Sequence, residues 1–396
     1  MSNICCVAFQ TIAHLDLGGF GYLNTALALK EKGHNVFWLI GVFNPKDSSS
    51  LDKVQETLKV NGFIVYSFDH VYLSSNCFEG NYPTADIKFI SQFLIENNTD
   101  CVLVDRVCSV VQYSALYANI KWIGVGACGQ TWKVIKSRGH DKRILSPRLE
   151  NKSSLNDKDI VYSIDNSKSI DLLSFGYWVA SPYLNISFLP YRFFNASGGS
   201  HCLFSPTTLL AAEKKYILIT FGNSMPESLQ YNILDLLFDN MESLYYEKFV
   251  LLTGNNDTTF RYATNKFSIY KNVSIKKWMD YDQAFKYAKL SIGHGGTAHI
   301  WYSIAYKVPI IALPALADQV YNSIRVMKLG IGIGLYSYRG KRRYLPSFFN
   351  DLKHLTKESF CFYIKKYSNV KEDMDMISSR DTDFKSIINR IERIIN

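Results

Sequence analysis

The chain has no C-x-x-C pair and no cysteine–histidine spacing of a metal site, although its 396 residues include 8 cysteines. Cys5, Cys6, Cys77, Cys101, Cys108, Cys128, Cys202 and Cys361 are scattered, several inside apolar runs such as CVLVD at 101–105. That usage excludes a disulfide scaffold and reads as buried, reduced thiols of a cytoplasmic protein. The N-terminus lacks a basic segment followed by a long apolar stretch and a small-residue cleavage site. No run approaches the ~20 apolar residues that span a bilayer, so N-x-S/T triplets such as Asn185-Ile186-Ser187 carry no glycosylation signal. Short repeats and low-complexity segments are absent. A formal charge of +9 fits an anionic ligand or surface without identifying one. The one dense basic cluster, Arg339-Gly340-Lys341-Arg342-Arg343, reads as a solvated loop, so no nucleic-acid partner is expected.

What is present is a soluble-protein composition, 47% hydrophobic and 20% charged, in a chain longer than one compact core fills. The aromatic share of 14%, with 26 Tyr and 25 Phe, implies apolar, stacking-capable surfaces. The first half alternates strand-like and helix-like patterns: strand Ile4–Phe9, helix Leu23–Lys32, strand Asn35–Ile40, helix Ser50–Asn61, strand Phe63–Ser67, helix Asp86–Asn97, strand 101–105, helix 109–119 and strand 122–126. Residues 137–170 are polar and read as an irregular excursion. NASGGS at 195–200 is a turn-rich break. The alternation restarts with KKYILITFG (214–222), helix 226–242, strand 248–254, strand 267–278, helix Asp282–Ala288 and strand Leu290–Gly293. This is α/β order with parallel doubly wound sheets. It predicts one domain over 1–205, a second over 206–375 and a C-terminal helix over 376–396 that packs back on the first.

The segment Gly293–Asn322 carries the most chemistry. A strand empties through glycines into an amphipathic helix, whose first-turn N–H groups and dipole favour a phosphate. The loop after the next strand, VPIIALP, lies at the same carboxyl edge, where such sheets bind ligands. There Asp318-Gln319 offers hydrogen-bonding groups to whatever the phosphate carries, which suits a sugar nucleotide.

His294, Gly295, Gly296, Val308, Pro309, Pro314, Asp318, Gln319 and Asn322 fall without gaps on the pattern H-G-G-x-G-[ST]-x-x-E, V-P, P-x-x-x-[DE]-Q-x-x-N. This resembles the donor signature of the UDP-glycosyltransferase superfamily, which includes macrolide-type and plant natural-product enzymes. The resemblance implies that His294, Gly295, Gly296 and the first helical turn bind the diphosphate, and that Asp318 and Gln319 bind sugar hydroxyls. It also implies that Trp278 stacks on the base and that Asn223 stands in the loop opening the donor domain. Three positions depart: Ala298 replaces the turn glycine, His299 the phosphate-binding Ser/Thr, and Tyr302 the ribose-binding acid. A phenol offers one oxygen where a carboxylate accepts two hydroxyls. A protonated His299 would compensate against the phosphate; alternatively, both residues pack the helix.

In the first half, His14 lies five residues past Phe9, where the family places its catalytic base. An alignment from the helix side would put Gly18 there instead, and His34 matches the family's structural G-H turn. Asp105, at the end of CVLVD, corresponds to the base's partner; its other reading is a strand-end helix cap, and Asp16 is a weaker substitute.

The whole implies two Rossmann-like domains facing across a cleft, the GT-B fold. The implied activity is inverting, metal-independent transfer of a hexose from a nucleotide sugar, UDP-glucose favoured, to a hydroxyl of a small apolar or aromatic acceptor. The nucleotide sugar is a co-substrate and no further cofactor or metal is expected; the protein is expected as monomer or dimer. A catalytically degenerate sugar-nucleotide-binding or helper protein, favoured by Ala298, His299 and Tyr302, and an epimerase or hydrolase on the same fold are the alternatives.

Overall fold

A computed structural model describes residues 1–9, 22–41, 48–68, 81–105, 108–125, 131–136, 143–148, 157–171, 181, 183–187, 200–202, 213–222, 225–254, 256–315, 317–336, 352–368 and 384–396. The chain divides into two compact units, residues 1–205 with 380–396, and residues 206–379.

In the first unit the main sheet is built from β1 (Asn3–Phe9), β2 (Asn35–Gly41), β3 (Ile64–Ser67), β5 (Cys101–Asp105), β6 (Lys121–Val125), β10 (Asn185–Ser187) and β11 (Ser200–Cys202). Their spatial order is β11-β10-β6-β5-β1-β2-β3, all parallel. The described core strands are apolar on both faces because helices cover both sides. Cys5, Cys6 and Cys101 are buried there, and burial pushes the Cys101 thiol up to about 12. Two small antiparallel pairs accompany the sheet: β4 (Asn81–Pro83) with β9 (Ser169–Asp171), and β7 (Thr131–Lys136) with β8 (Arg143–Arg148). The stretch 137–170 is therefore more regular than its polarity implies. It contains β8, the start of β9 and a helix at Asp157–Asn166 whose Asp165 accepts from the Tyr117 hydroxyl at 2.6 Å.

Between β1 and β5 the chain changes direction of winding. The phenol of Tyr22, at the start of helix α1 (Tyr22–Glu31), sits between these strands. It accepts from the Val7 N–H at 2.8 Å and donates to the Leu103 carbonyl. The last helix, Phe384–Ile395, belongs to this unit: Lys32 pairs with Glu392, and Lys121 donates to the Ile394 carbonyl at 2.6 Å.

The second unit has its own parallel sheet: β12 (Tyr216–Thr220), β13 (Phe249–Leu252), β14 (Val273–Lys276), β15 (Ala288–Gly293), β16 (Ile310–Ala312), β17 (Gly332–Tyr336) and β18 (Lys353–His354). The order is β14-β13-β12-β15-β16-β17-β18, so winding reverses between β12 and β15. Residues 267–278 hold less strand than their pattern implies: a helix runs to Phe267 and β14 begins only at Val273. Ile217, Ile219, Phe221, Leu251, Leu290, Ile292 and Ile311 form the centre of its core.

Candidate functional site

The switch point of the second sheet is where a ligand is expected in a doubly wound fold. Thr220 and Gly293 are paired residues at the ends of β12 and β15, so the loops leaving both strands start side by side. The His294 ring lies in a slot between two glycines from those loops. A Cβ on Gly222 would stand 2.5 Å from His294 Cε1, and one on Gly296 would stand 2.4 Å from Nε2. Gly222 has φ +61°, which also favours glycine. His294 Nδ1 is buried with no hydrogen-bond partner among the described residues. Burial lowers the His294 pKa to about 4, so the ring is neutral at pH 7.

Gly296 is the N-cap of helix Thr297–Ala305 and brings no side-chain acceptor to the first turn, which also contains no acid. The turn before it is held from both sides. Gly295, at φ +73°, donates its N–H to His299 Nδ1 at 3.3 Å, and its carbonyl accepts from Asn322 Nδ2 at 3.0 Å. Because Nδ1 accepts, His299 carries its proton on Nε2, which faces Ser291 Oγ at 3.1 Å. Ser291 in turn meets Ser303 Oγ at 2.8 Å and the Pro309 carbonyl at 3.2 Å. Asn322 lies on helix Ala317–Lys328, where Ser323 Oγ donates to the Gln319 carbonyl at 2.7 Å. Two helices thus hold the two peptide units that flank the Gly295 Cα, and with them the direction of the N–H groups at the next helix start.

His299 therefore departs from the expected charged phosphate ligand. It is 1% exposed, and burial, then the neighbouring His294, lower its pKa to about 3. Its imidazole is a neutral support behind the turn. Tyr302 also points into the unit, stacked on Phe285 at 5.4 Å and edge-on to Tyr281 at 5.3 Å, which matches the helix-packing reading. Ala298 is half-buried in the first turn. Gln319 is buried, and its Oε1 accepts from the Ala315 N–H at 2.9 Å, shaping the loop after β16. Trp278 follows β14 at the same carboxyl edge and is 71% exposed, leaving its indole face open for stacking. Asn223 lies outside the described residues, as does the Asp318 side chain.

In the first unit β1 and β5 are neighbours, so Phe9 and Asp105 end at one edge of that sheet's switch point. His14 lies outside the described residues, and so does the Asp105 side chain. His34 is buried, with Nε2 3.7 Å from Glu392, in keeping with a structural turn. Among the described residues no cluster of His, Cys, Asp or Glu has the arrangement of a metal centre, and no helix is long and apolar enough to cross a membrane.

Residues 214–359 match the family model of the Glycosyltransferase family 28 C-terminal domain. That match lies within the second unit. A Caenorhabditis elegans putative UDP-glucuronosyltransferase, ugt-50, is 28% identical over 123 residues, covering 29% of this chain and 22% of that protein. UDP-glucuronosyltransferase 3A1 of Xenopus laevis is 23% identical over 128 residues, 31% of this chain and 23% of its own. The matches thus span under a quarter of these relatives' length. Among solved structures, the kitacinnamycin glycosyltransferase matches with TM-score 0.62 at 15% identity, covering 100% of this chain and 99% of that one. Spinosyn forosaminyltransferase SpnP gives 0.62 at 11%, with 100% and 99% covered. VinC, solved in complex with DTDP, gives 0.60 at 12%, with 99% of each covered. The whole chain has the GT-B fold of these glycosyltransferases.

Gly222, Ser291 and Ser303 carry no functional signal in the sequence. Nothing in a lone glycine or serine announces a slot wall or a relay. Asn322 was visible as a pattern position, but its bond to the Gly295 carbonyl needed the fold.

Proposed function

We propose that the protein is an inverting glycosyltransferase that moves a hexose from a nucleotide sugar to a hydroxyl of a small apolar or aromatic acceptor. The observation that carries the reading is the clamped glycine turn at the start of helix Thr297–Ala305, inside the segment that matches the glycosyltransferase family model. It presents unsatisfied amides and a positive dipole end to a diphosphate without requiring a charged side chain. As the bond to the anomeric carbon breaks, these dipoles stabilise the departing diphosphate, so this reading gives a metal ion no role. His294, held neutral, donates one further hydrogen bond, and Trp278 supplies a stacking face for the base.

His14 is assigned as the base that removes the acceptor hydroxyl proton, and Asp105 as the carboxylate that stabilises the imidazolium. The acceptor oxygen then attacks in line while the diphosphate leaves from the opposite face, inverting the anomeric configuration. UDP-glucose is the preferred donor in this reading, with a deoxythymidine diphosphate sugar as the first substitute because VinC was solved with DTDP. Incubation with each donor and a panel of phenolic and aliphatic alcohols, read by mass spectrometry, tests the assignment. A glycoside that appears with the wild type and disappears with His14→Ala supports it.

The buried Tyr302, where the family has a ribose-binding acid, favours a second reading: a protein that binds the sugar nucleotide without transferring sugar. Calorimetric binding of UDP-glucose with neither transfer nor hydrolysis across the panel would select it. Absence of nucleotide binding would defeat both readings.

A further inference from the structure

The second sheet has a second chemically distinct edge. Read in spatial order from β14 to β17, the residues entering the strands include Lys271, Lys248, Lys214 with Lys215, Lys286 with Lys289, Lys307 and Lys328. Every one of six adjacent strands starts beside a lysine, across about 24 Å of sheet. These lysines are spread over more than a hundred positions of sequence, and only the parallel topology gathers them.

Some have a structural task. Lys214 donates to the carbonyls of Lys286 at 3.2 Å and Tyr306 at 3.0 Å, closing the ends of two helices. Lys289 pairs with Glu247. Helix C-termini point to this edge, which favours cations there. That account leaves over Lys248 and Lys271, which are exposed and make no ion pair among the described residues, and Lys215, which lies over the Tyr287 ring at 5.3 Å. Against the eight lysines stand, among the described residues near these strand starts, Glu213, Asp239, Glu242, Glu247 and Asp282, the last of which accepts from the Tyr306 hydroxyl.

Beside the lysines lie large exposed apolar groups. Tyr246 is 86% exposed, Tyr245 59% and Ile269 73%. The two tyrosine rings are 4.0 Å apart, and the segments are tied together by Asn272, whose Nδ2 donates to the carbonyls of Tyr245 and Glu247. Lysine ammonium groups on long stems match a field of headgroup phosphates, whereas base reading in nucleic acid favours the planar arginine fork. Tyrosines with an aliphatic neighbour suit the interfacial layer of a bilayer. Adjacent strands lie about 4.8 Å apart, less than the Debye length of about 8 Å at physiological salt, so charges at neighbouring strand starts act together.

We propose that this amino edge of the second sheet docks on an anionic lipid surface. Contact is made by Lys215, Lys248 and Lys271, with Tyr245, Tyr246 and Ile269 entering the headgroup layer. The proposal goes beyond the glycosyltransferase reading and does not depend on it.

Co-sedimentation of the full chain with vesicles tests it. Phosphatidylcholine vesicles with about one third phosphatidylserine should retain the protein, phosphatidylcholine alone should not, and retention should fall steeply with salt. Lys215→Glu/Lys248→Glu/Lys271→Glu should weaken retention about a hundredfold. Tyr245→Ser/Tyr246→Ser should weaken it less and leave the salt dependence in place. An equal charge change on the first unit, Lys53→Glu/Lys59→Glu/Lys385→Glu, should leave retention near wild type, with unchanged thermal unfolding as the check that each variant folds. Equal retention by neutral vesicles, equal loss in the control variant, or stronger retention by a duplex DNA column than by anionic vesicles would overturn the proposal.

Discussion

The two edges of the second sheet meet negative charge in opposite ways. Around the switch point of the carboxyl edge the residues are glycines, an imidazole held neutral by burial and buried amides, with Lys276, Lys277 and the exposed Trp278 at the outlying β14; at the amino edge lysines and tyrosines recur from strand to strand. Both patterns follow from one fact of topology. In a parallel sheet with crossover helices, every helix starts at one edge and ends at the other, so backbone dipoles are positive at the first and negative at the second. The edge already favourable to anions needs shape and hydrogen-bond donors rather than charge. The opposite edge draws cations to its helix ends, and a surplus of them becomes available to something outside the molecule.

The comparison breaks most severely at the histidine slot. His294→Ala should lower kcat/KM for UDP-glucose about a hundredfold or more, the usual cost of one donor aimed at developing charge, with folding intact. Gly222→Ala should be nearly as harmful, because the new methyl meets the His294 ring and the backbone sits at φ +61°. It should raise the donor dissociation constant at least tenfold and cost about 1–3 kcal/mol of stability, read by calorimetry and denaturant unfolding.

The clamp behind the turn should act more gently and in a distinguishable way. Asn322→Leu leaves the Gly295 carbonyl buried without its partner and should cost about 2 kcal/mol, with KM for the donor rising more than kcat falls. The two histidines also set a pH response. Their folded pKa values, about 4 for His294 and about 3 for His299, lie below the unfolded value, so the unfolded chain binds more protons between roughly pH 3 and 6.5. The stability they leave intact above pH 6.5 should be lost progressively as pH falls through that window. His299→Asn should flatten the decline in a thermal-unfolding series.

The smallest effect sharpens the contrast from the other edge. Lys214→Met removes the ammonium that closes two helix ends, so the second unit should lose about 1 kcal/mol while its affinity for UDP-glucose stays unchanged. A lost affinity would show that the two edges are mechanically coupled through helix Thr297–Ala305.

Much of this architecture is legible in the sequence. Strands such as CVLVD and YILIT are short apolar runs bounded by turn residues, and Gly293–Asn322 announces a strand, a glycine turn and a helix. What stayed hidden depends on direction rather than identity. A histidine in the first helical turn can face the ligand or the core, and only the placement of Ser291 and Ser303 decides for the core. Residues 143–148 and 157–171 are too polar to advertise regular structure, yet 143–148 pairs with the nearby 131–136, 157–166 is helical, and 169–171 pairs with the distant Asn81–Pro83. The lysine edge was invisible for another reason: each strand contributes one or two residues, so no window of sequence contains the cluster.

The slot between Gly222 and Gly296 constrains how this protein can change over generations. A side chain at either glycine collides with the imidazole, and once the space has been filled the imidazole fits again only after the filler is removed. Loss of His294 followed by substitution at a neighbouring glycine is therefore undone only in the reverse order. A descendant that had taken both steps would show a filled slot, whereas this chain keeps all three residues together.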